Sequence, residues 1–202
     1  MSPPPNPMEM PLLAAALPPD QEGERAARTL YRENLSYVWN TLRRLGIMDA
    51  DREDLCHDVF AVFFRGSAAY DPARPLKPWL FGIAFRVASD HRRRARFRRE
   101  LPGQHLDHAS DTPLADDALV QKESRQIVER ALASLDLDQR AVFILHEIDG
   151  LAMPQIAEVL DAPLNTLYSR LRLARQKFTV ELKRHAAREA EPPAVLAQGG
   201  RR

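Results

Sequence analysis

Apolar side chains recur at intervals of three and four along most of the chain, the mark of helices that bury one stripe. Between Glu22 and Gly46 the stripe is Leu35, Val38, Leu42 and Leu45, and Gly46 supplies a stop. From Asp49 to Arg65 it is Leu55, Val59 and Val62, with Phe60 and Phe64 expected on the far side. A joint rich in proline, Asp71 to Pro78, leads into a long helix over about 78–99 with Leu80, Ala84, Val87 and His91 in line. Four more helical stretches follow, at about 119–134, 138–148, 154–160 and 164–184. Nothing alternates with the period of two that strands require, so the pattern predicts an all-α protein.

Breakers divide these helices into groups. Seven of the sixteen prolines fall in the first twenty residues. Proline lacks the amide hydrogen that helices and sheets use, so 1–21 reads as a disordered leader. Its apolar run from Leu12 to Leu17 has no basic residue before it, unlike a secretory signal. Residues 100–118 contain Pro102, Gly103 and Pro113 beside Asp107, Asp111, Asp116 and Asp117, with no Lys or Arg. The expectation is two small helical domains, 22–99 and 119–185, joined by a flexible acidic linker over 100–118. Residues 186–202 are read as a tail.

Composition narrows the function classes. The chain has 202 residues, 45% hydrophobic, and no run near the roughly 18 apolar residues of a membrane span; with no secretory signal either, a cytoplasmic address is expected. One cysteine, Cys56, excludes an internal disulfide and a cysteine-rich zinc site. There is no spaced carboxylate cluster, glycine-rich phosphate loop or nucleophile paired with a base, so neither an enzyme nor a cofactor is expected, and no metal. His105 and His108 lie in the linker and are not read as ligands.

The net charge of +1 averages over opposed parts. Residues 92–99 carry six arginines in eight positions, and 164–185 carry Arg170, Arg172, Arg175, Lys177, Lys183 and Arg184 against Glu181. In the helix 49–65, Asp51, Asp54 and Asp58 form an acidic stripe about 60° wide, which suits a basic protein surface or water and repels DNA.

The last two helices have the organisation of a helix-turn-helix, broken at Asp161-Ala162 and restarted near Pro163. At about 100° per residue, Leu167, Leu171, Ala174 and Phe178 share one arc as the core stripe. Opposite lie Asn165, Ser169, Arg172 and Gln176, types that exchange hydrogen bonds with base edges, with Arg172 the best candidate for a guanine. Thr166, Tyr168 and Leu173 stand on the shoulders, and Arg170 and Arg175 flank the core stripe, where phosphates are the expected partners. The helix over 78–99 places Phe81, Phe85, Ser89, Arg92 and Arg96 on one arc and Trp79, Arg86, Asp90, Arg93 and Phe97 on another. Rings beside guanidinium groups are the pattern that stacks unpaired bases while following their backbone.

Asp51-Arg-Glu-Asp-Leu-Cys-His-Asp-Val-Phe60, Trp79-Leu-Phe-Gly-Ile-Ala84 with Asp90-His-Arg-Arg, and Leu135 to Arg175 together resemble an extracytoplasmic-function (ECF) sigma factor of the sigma-70 family, in order and spacing over about 25–184. The resemblance implies a first domain (region 2) that binds core RNA polymerase and the melted −10 element, and a second (region 4) that reads the duplex −35 element. It implies that Asp54, Leu55 and Asp58 contact core polymerase, with Asp51 and His57 expected beside them, and that the helix matched at Trp79, Leu80, Ile83 and Ala84 serves the −10 element, to which the aromatic and arginine pattern adds Phe85, Arg86, Arg92, Arg93 and Arg96. Residues 66–75 match the loop that captures a flipped −10 base. Thr166, Ser169, Arg170, Ala174 and Arg175 match the recognition-helix pattern, and Asn165, Tyr168, Arg172 and Leu173 are expected to read the −35 element beside them. An anti-sigma factor is an implied partner. The chain departs from the common pattern at His57, Phe85-Arg86, Asn165, Tyr168 and Leu173, so its promoter is expected to differ from those of better-known members. The competing class is a helix-turn-helix regulator that binds duplex DNA without joining polymerase.

Overall fold

A computed structural model of the chain describes residues 21–66, 70–71, 73–100 and 119–190. The leader, the linker and the end of the tail lie outside those residues. Helices α1 (Gln21–Arg44), α2 (Asp49–Arg65) and α3 (Leu76–Glu100) form the first half. Helices α4 (Leu119–Ala133), α5 (Leu137–Phe143), α6 (Met153–Leu160) and α7 (Leu164–Ala190) form the second. The described residues contain no strand, as the periodicity requires.

In the first half α1, α2 and α3 pack pairwise around Tyr31, Val38, Leu42, Val59, Phe60, Leu80, Phe81 and Ala84. Gly46 ends α1 at φ 85°, a left-handed conformation that a side chain resists. Two expectations change here. Phe60 and Phe64 face the core, while Val62 is exposed. Each of α1 and α3 packs against α2, so its buried arc widens from a stripe to nearly half the helix, taking in Leu55, Cys56, Val59, Phe60, Phe63 and Phe64. In α3, Phe81 is fully buried rather than displayed to a base.

The second half is built on α7, against which α4, α5 and α6 all pack. Asp136 caps α5 by accepting from the Gln139 amide at 2.8 Å. The helix expected over 138–148 is divided: α5 passes into a π-helical turn at Ile144–Ile148, then Gly150 turns the chain at φ 72°. A single inserted residue per turn leaves no mark in hydrophobic spacing, so the sequence pattern does not reveal it. α7 continues to Ala190, beyond the expected end at 184–185 and into the stretch read as tail.

The two halves touch. α6 packs on α3, and at Gly82 a Cβ would stand 3.1 Å from the Val159 carbonyl oxygen, so the glycine permits this approach. The Tyr37 hydroxyl donates to Asp149 at 3.0 Å, and burial followed by the Asp149 charge raises its pKa above the ordinary tyrosine value. Arg43 pairs with Glu129 at 3.1 Å, and Arg74 pairs with Glu158. Buried side chains of both halves join in one continuous cluster.

Candidate nucleic-acid interface

The helix-turn-helix is fixed by local chemistry. Pro154 sits in the first turn of α6, and the Ala152 amide donates to Gln155 Oε1 at 3.0 Å, closing the open end of the helix. Asp161 ends α6 in the left-handed region at φ 49°, and its short polar side chain tolerates that conformation. Three residues later α7 begins. Leu167, Leu171 and Ala174 are buried, and Phe178 stacks on Phe143 with centroids 4.5 Å apart. The core stripe lies where the periodicity put it.

That seating leaves the opposite face in water. Asn165, Thr166, Tyr168, Ser169, Arg172, Leu173 and Gln176 are all exposed, Tyr168 by 55%. Arg172 makes no ion pair or hydrogen bond among the described residues, so its guanidinium fork is available to a base edge. Ser169 is partly engaged, since its hydroxyl donates to the Asn165 carbonyl at 3.0 Å. The flanking arginines are held by the protein itself. Arg170 pairs with Asp138 at 2.6 Å, and Arg175 pairs with Glu147 at 2.6 Å. These carboxylates come from α5 and the π-helical turn, a tertiary placement that a helical wheel does not contain.

On α3 the expected residues separate. Arg86, Arg93 and Arg96 are exposed, and Arg93 pairs with Asp90 at 3.0 Å. Trp79 is half-buried and meets Tyr70 edge-on at 5.3 Å, while Phe85 packs against the core margin. Arg92 is half-buried, and burial lowers its pKa. In the loop 66–75, residues 67–69 and 72 lie outside the described residues. The rest is tied by the Tyr70 hydroxyl donating to the Arg74 carbonyl at 2.7 Å and the Ala73 amide donating to Asp71 at 2.9 Å.

The acidic residues of α2 divide as well. Asp51 faces His91 at 3.4 Å. Asp54 and Asp58 are exposed and make no ion pair among the described residues, whereas Leu55 is buried beneath them. His57 is half-buried, and its Nε2 has no hydrogen-bond partner among those residues. Cys56 is buried, and burial, then the Glu53 charge, pushes its thiol up to about 12. A neutral buried thiol is a poor nucleophile and metal ligand. No group of three or more His, Cys, Asp or Glu among the described residues is arranged to hold a metal ion. No helix among them is long and apolar enough to cross a membrane.

Residues 30–98 match the family model for sigma-70 region 2, and residues 125–178 match that for sigma-70 region 4. The chain is 29% identical over 178 residues to the ECF RNA polymerase sigma factor SigE of Mycolicibacterium smegmatis, covering 85% of this chain and 69% of that one. It is 29% identical over 157 residues to the ECF RNA polymerase sigma factor SigL of Mycobacterium tuberculosis, covering 77% and 88%. Among solved structures, CnrH in complex with the cytosolic domain of CnrY aligns with a TM-score of 0.57 at 25% identity, covering 86% of this chain and 96% of that one. The sigma factor RpoE of Bartonella quintana, in complex with the anti-sigma factor NepR, aligns with a TM-score of 0.60 at 23% identity, covering 77% and 98%. This last likeness concerns the fold alone.

Proposed function

Because the chain belongs to the sigma-70 family as an ECF RNA polymerase sigma factor, we propose how its exposed faces divide the work of initiation. The observation that carries the division is an unpaired acidic face, Asp54 and Asp58 on α2, in the same molecule as an exposed recognition face on α7. Like charge bars the first from DNA and suits it to core polymerase. Asp51, Leu55 and His57 border or support that face. The second reads the duplex −35 element, with Arg172 and Asn165 at base edges and Thr166, Tyr168, Ser169 and Leu173 around them. Arg170 and Arg175 reach phosphates by exchanging Asp138 and Glu147 for the DNA backbone.

The −10 element falls to the first domain, 22–99. Trp79 and Phe85 offer ring edges to unstacked bases, and Arg86, Arg92, Arg93 and Arg96 follow the single strand. Flipping a base out of the stack costs a few kcal/mol, which pocket contacts offset. No bond chemistry is required of the chain itself. The second domain, 119–185, connects through the acidic segment 100–118, and the protein works in the bacterial cytoplasm. An anti-sigma factor is a proposed partner, supported by CnrH, a solved neighbour 25% identical to this chain that is held in complex with the cytosolic domain of CnrY. A helix-turn-helix regulator acting without polymerase has no use for the acidic face of α2.

Core polymerase and the full chain, mixed and passed over a sizing column, are expected to co-elute. Asp54→Ala is expected to reduce co-elution while leaving helix content unchanged. Undiminished co-elution of that variant would move the polymerase contact off α2.

A further inference from the structure

Where the two halves meet, the positive charge is not balanced. A cavity of about 460 Å³ is lined by Arg43, Arg44, Arg52 and Arg140, with Asp49 and Glu129 as its acidic residues. Those carboxylates are taken. Glu129 pairs with Arg43, Asp49 pairs with Arg52, and Asp149 just beyond faces Arg44 at 3.9 Å. Asp138, two residues before Arg140, pairs with Arg170, and Asp136, whose charge partly offsets that of Arg140, accepts from the Gln139 amide and faces Lys177 at 3.8 Å.

Two guanidinium groups remain, one from each half, and they converge. Arg92 Nη2 lies 2.8 Å from where a Cβ on Gly46 would stand, and Arg140 Nη1 lies closer still to the same point. Arg140 is 4% exposed. One of its nitrogens donates to the Leu135 carbonyl at 3.1 Å, and its Nε has no hydrogen-bond partner among the described residues. Neither Arg92 nor Arg140 makes an ion pair among those residues. Burial and the neighbouring Arg92 charge push Arg140 down to about 10, still charged at neutral pH. Buried charges persist when something compensates them, and arginine does not escape by losing its proton at neutral pH. Arg140 and Gly46 line the cavity, and Arg92 reaches that same glycine from behind it. Two guanidinium forks at the edge of a space larger than several waters match a phosphoryl group held by parallel N–H donors.

We propose that the seam between the two halves binds a small di- or polyphosphate anion, gripped by Arg92 of the first half and Arg140 of the second, with the body of the ligand in the adjoining cavity. Such a ligand bridges the halves and favours the arrangement in which α6 lies on α3. It also occupies Arg92, one of the arginines assigned above to the −10 strand, so promoter DNA and the small anion compete for the same charge. The site is independent of whether the protein directs polymerase.

The test uses the full chain without polymerase and inorganic pyrophosphate as the probe, by calorimetry and thermal unfolding at constant ionic strength. Pyrophosphate is expected to bind saturably with a stoichiometry of one and to raise Tm, while chloride at equal ionic strength does neither. Arg140→Gln and Arg92→Gln are each expected to weaken binding about tenfold or more, the loss of a charged hydrogen-bond pair. Arg184→Gln, on the far part of α7, is expected to bind like the parent. Arg92→Gln lies on a helix face away from the core stripe, so it reports even where Arg140→Gln fails to fold. No saturable binding, or equal binding by parent and Arg92→Gln, overturns the proposal. The latter result would assign pyrophosphate to the exposed arginine run. A run-off assay failing separately would count against the sigma-factor reading and leave this result untouched.

Discussion

Helices α3 and α7 are both long, amphipathic and rich in arginine, yet the protein spends their polar faces differently. On α7 the neighbours all lie to one side, so Asn165, Tyr168, Arg172 and Leu173 stay in water. α3 is packed by α1 and α2 on one side and by α6 on another, which draws in Phe81 fully and Trp79, Phe85 and Arg92 in part. A helix that meets neighbours on two sides buries more than its narrow stripe, and its functional residues sit at the margins of packing. α7 presents a finished reading surface. α3 presents one that packing partly occupies.

The sharpest way to break this contrast is Phe81→Ala. A fully buried ring removed from a packed core is expected to cost about 3–5 kcal/mol in denaturant unfolding. A stable variant with defective promoter opening would instead restore Phe81 to the DNA-facing arc. Next in size, Arg172→Ala is expected to cost about 1–3 kcal/mol in −35 binding and to relax preference at one base position, with stability unchanged. Equal loss on every sequence would make Arg172 a phosphate contact. Asp54→Ala tests whether α2 carries an unspent face like that of α7. Core-polymerase affinity should fall by about 1 kcal/mol or more in a binding titration, with duplex binding retained.

The smallest effect concerns the arginines already paired within the second half. Asp138→Asn removes a half-exposed partner of Arg170, so unfolding should change by about 0.2–1 kcal/mol at most. Freed from that pair, Arg170 is expected to steepen the salt dependence of duplex binding slightly. An unchanged salt slope would mean that Arg170 stays out of the DNA contact altogether.

Much of this architecture is legible in spacing. Leu167, Leu171, Ala174 and Phe178 define the inner face of α7, and the break at Asp161-Ala162 places the turn, because both depend on local periodicity and backbone chemistry. What escapes the sequence is tertiary. Nothing near Gly82 in the chain says that α6 will lie against that end of α3, and nothing near Arg170 or Arg175 announces Asp138 or Glu147. Arg140 sits between the acidic start of α5 and the apolar run Ala141 to Leu145, and its convergence with Arg92 on Gly46 depends on three separate elements meeting. The net charge behaves the same way: near zero for the chain, it conceals an acidic face, a basic reading helix and an unbalanced seam.

This chain directs polymerase rather than acting on duplex DNA by itself. Run-off transcription with reconstituted holoenzyme tests it most directly. Discrete, template-specific start sites are expected to appear only when the chain is added to core polymerase and to weaken with Asp54→Ala. Tight binding of one duplex by the chain alone, with no initiation when core polymerase is supplied, would contradict it.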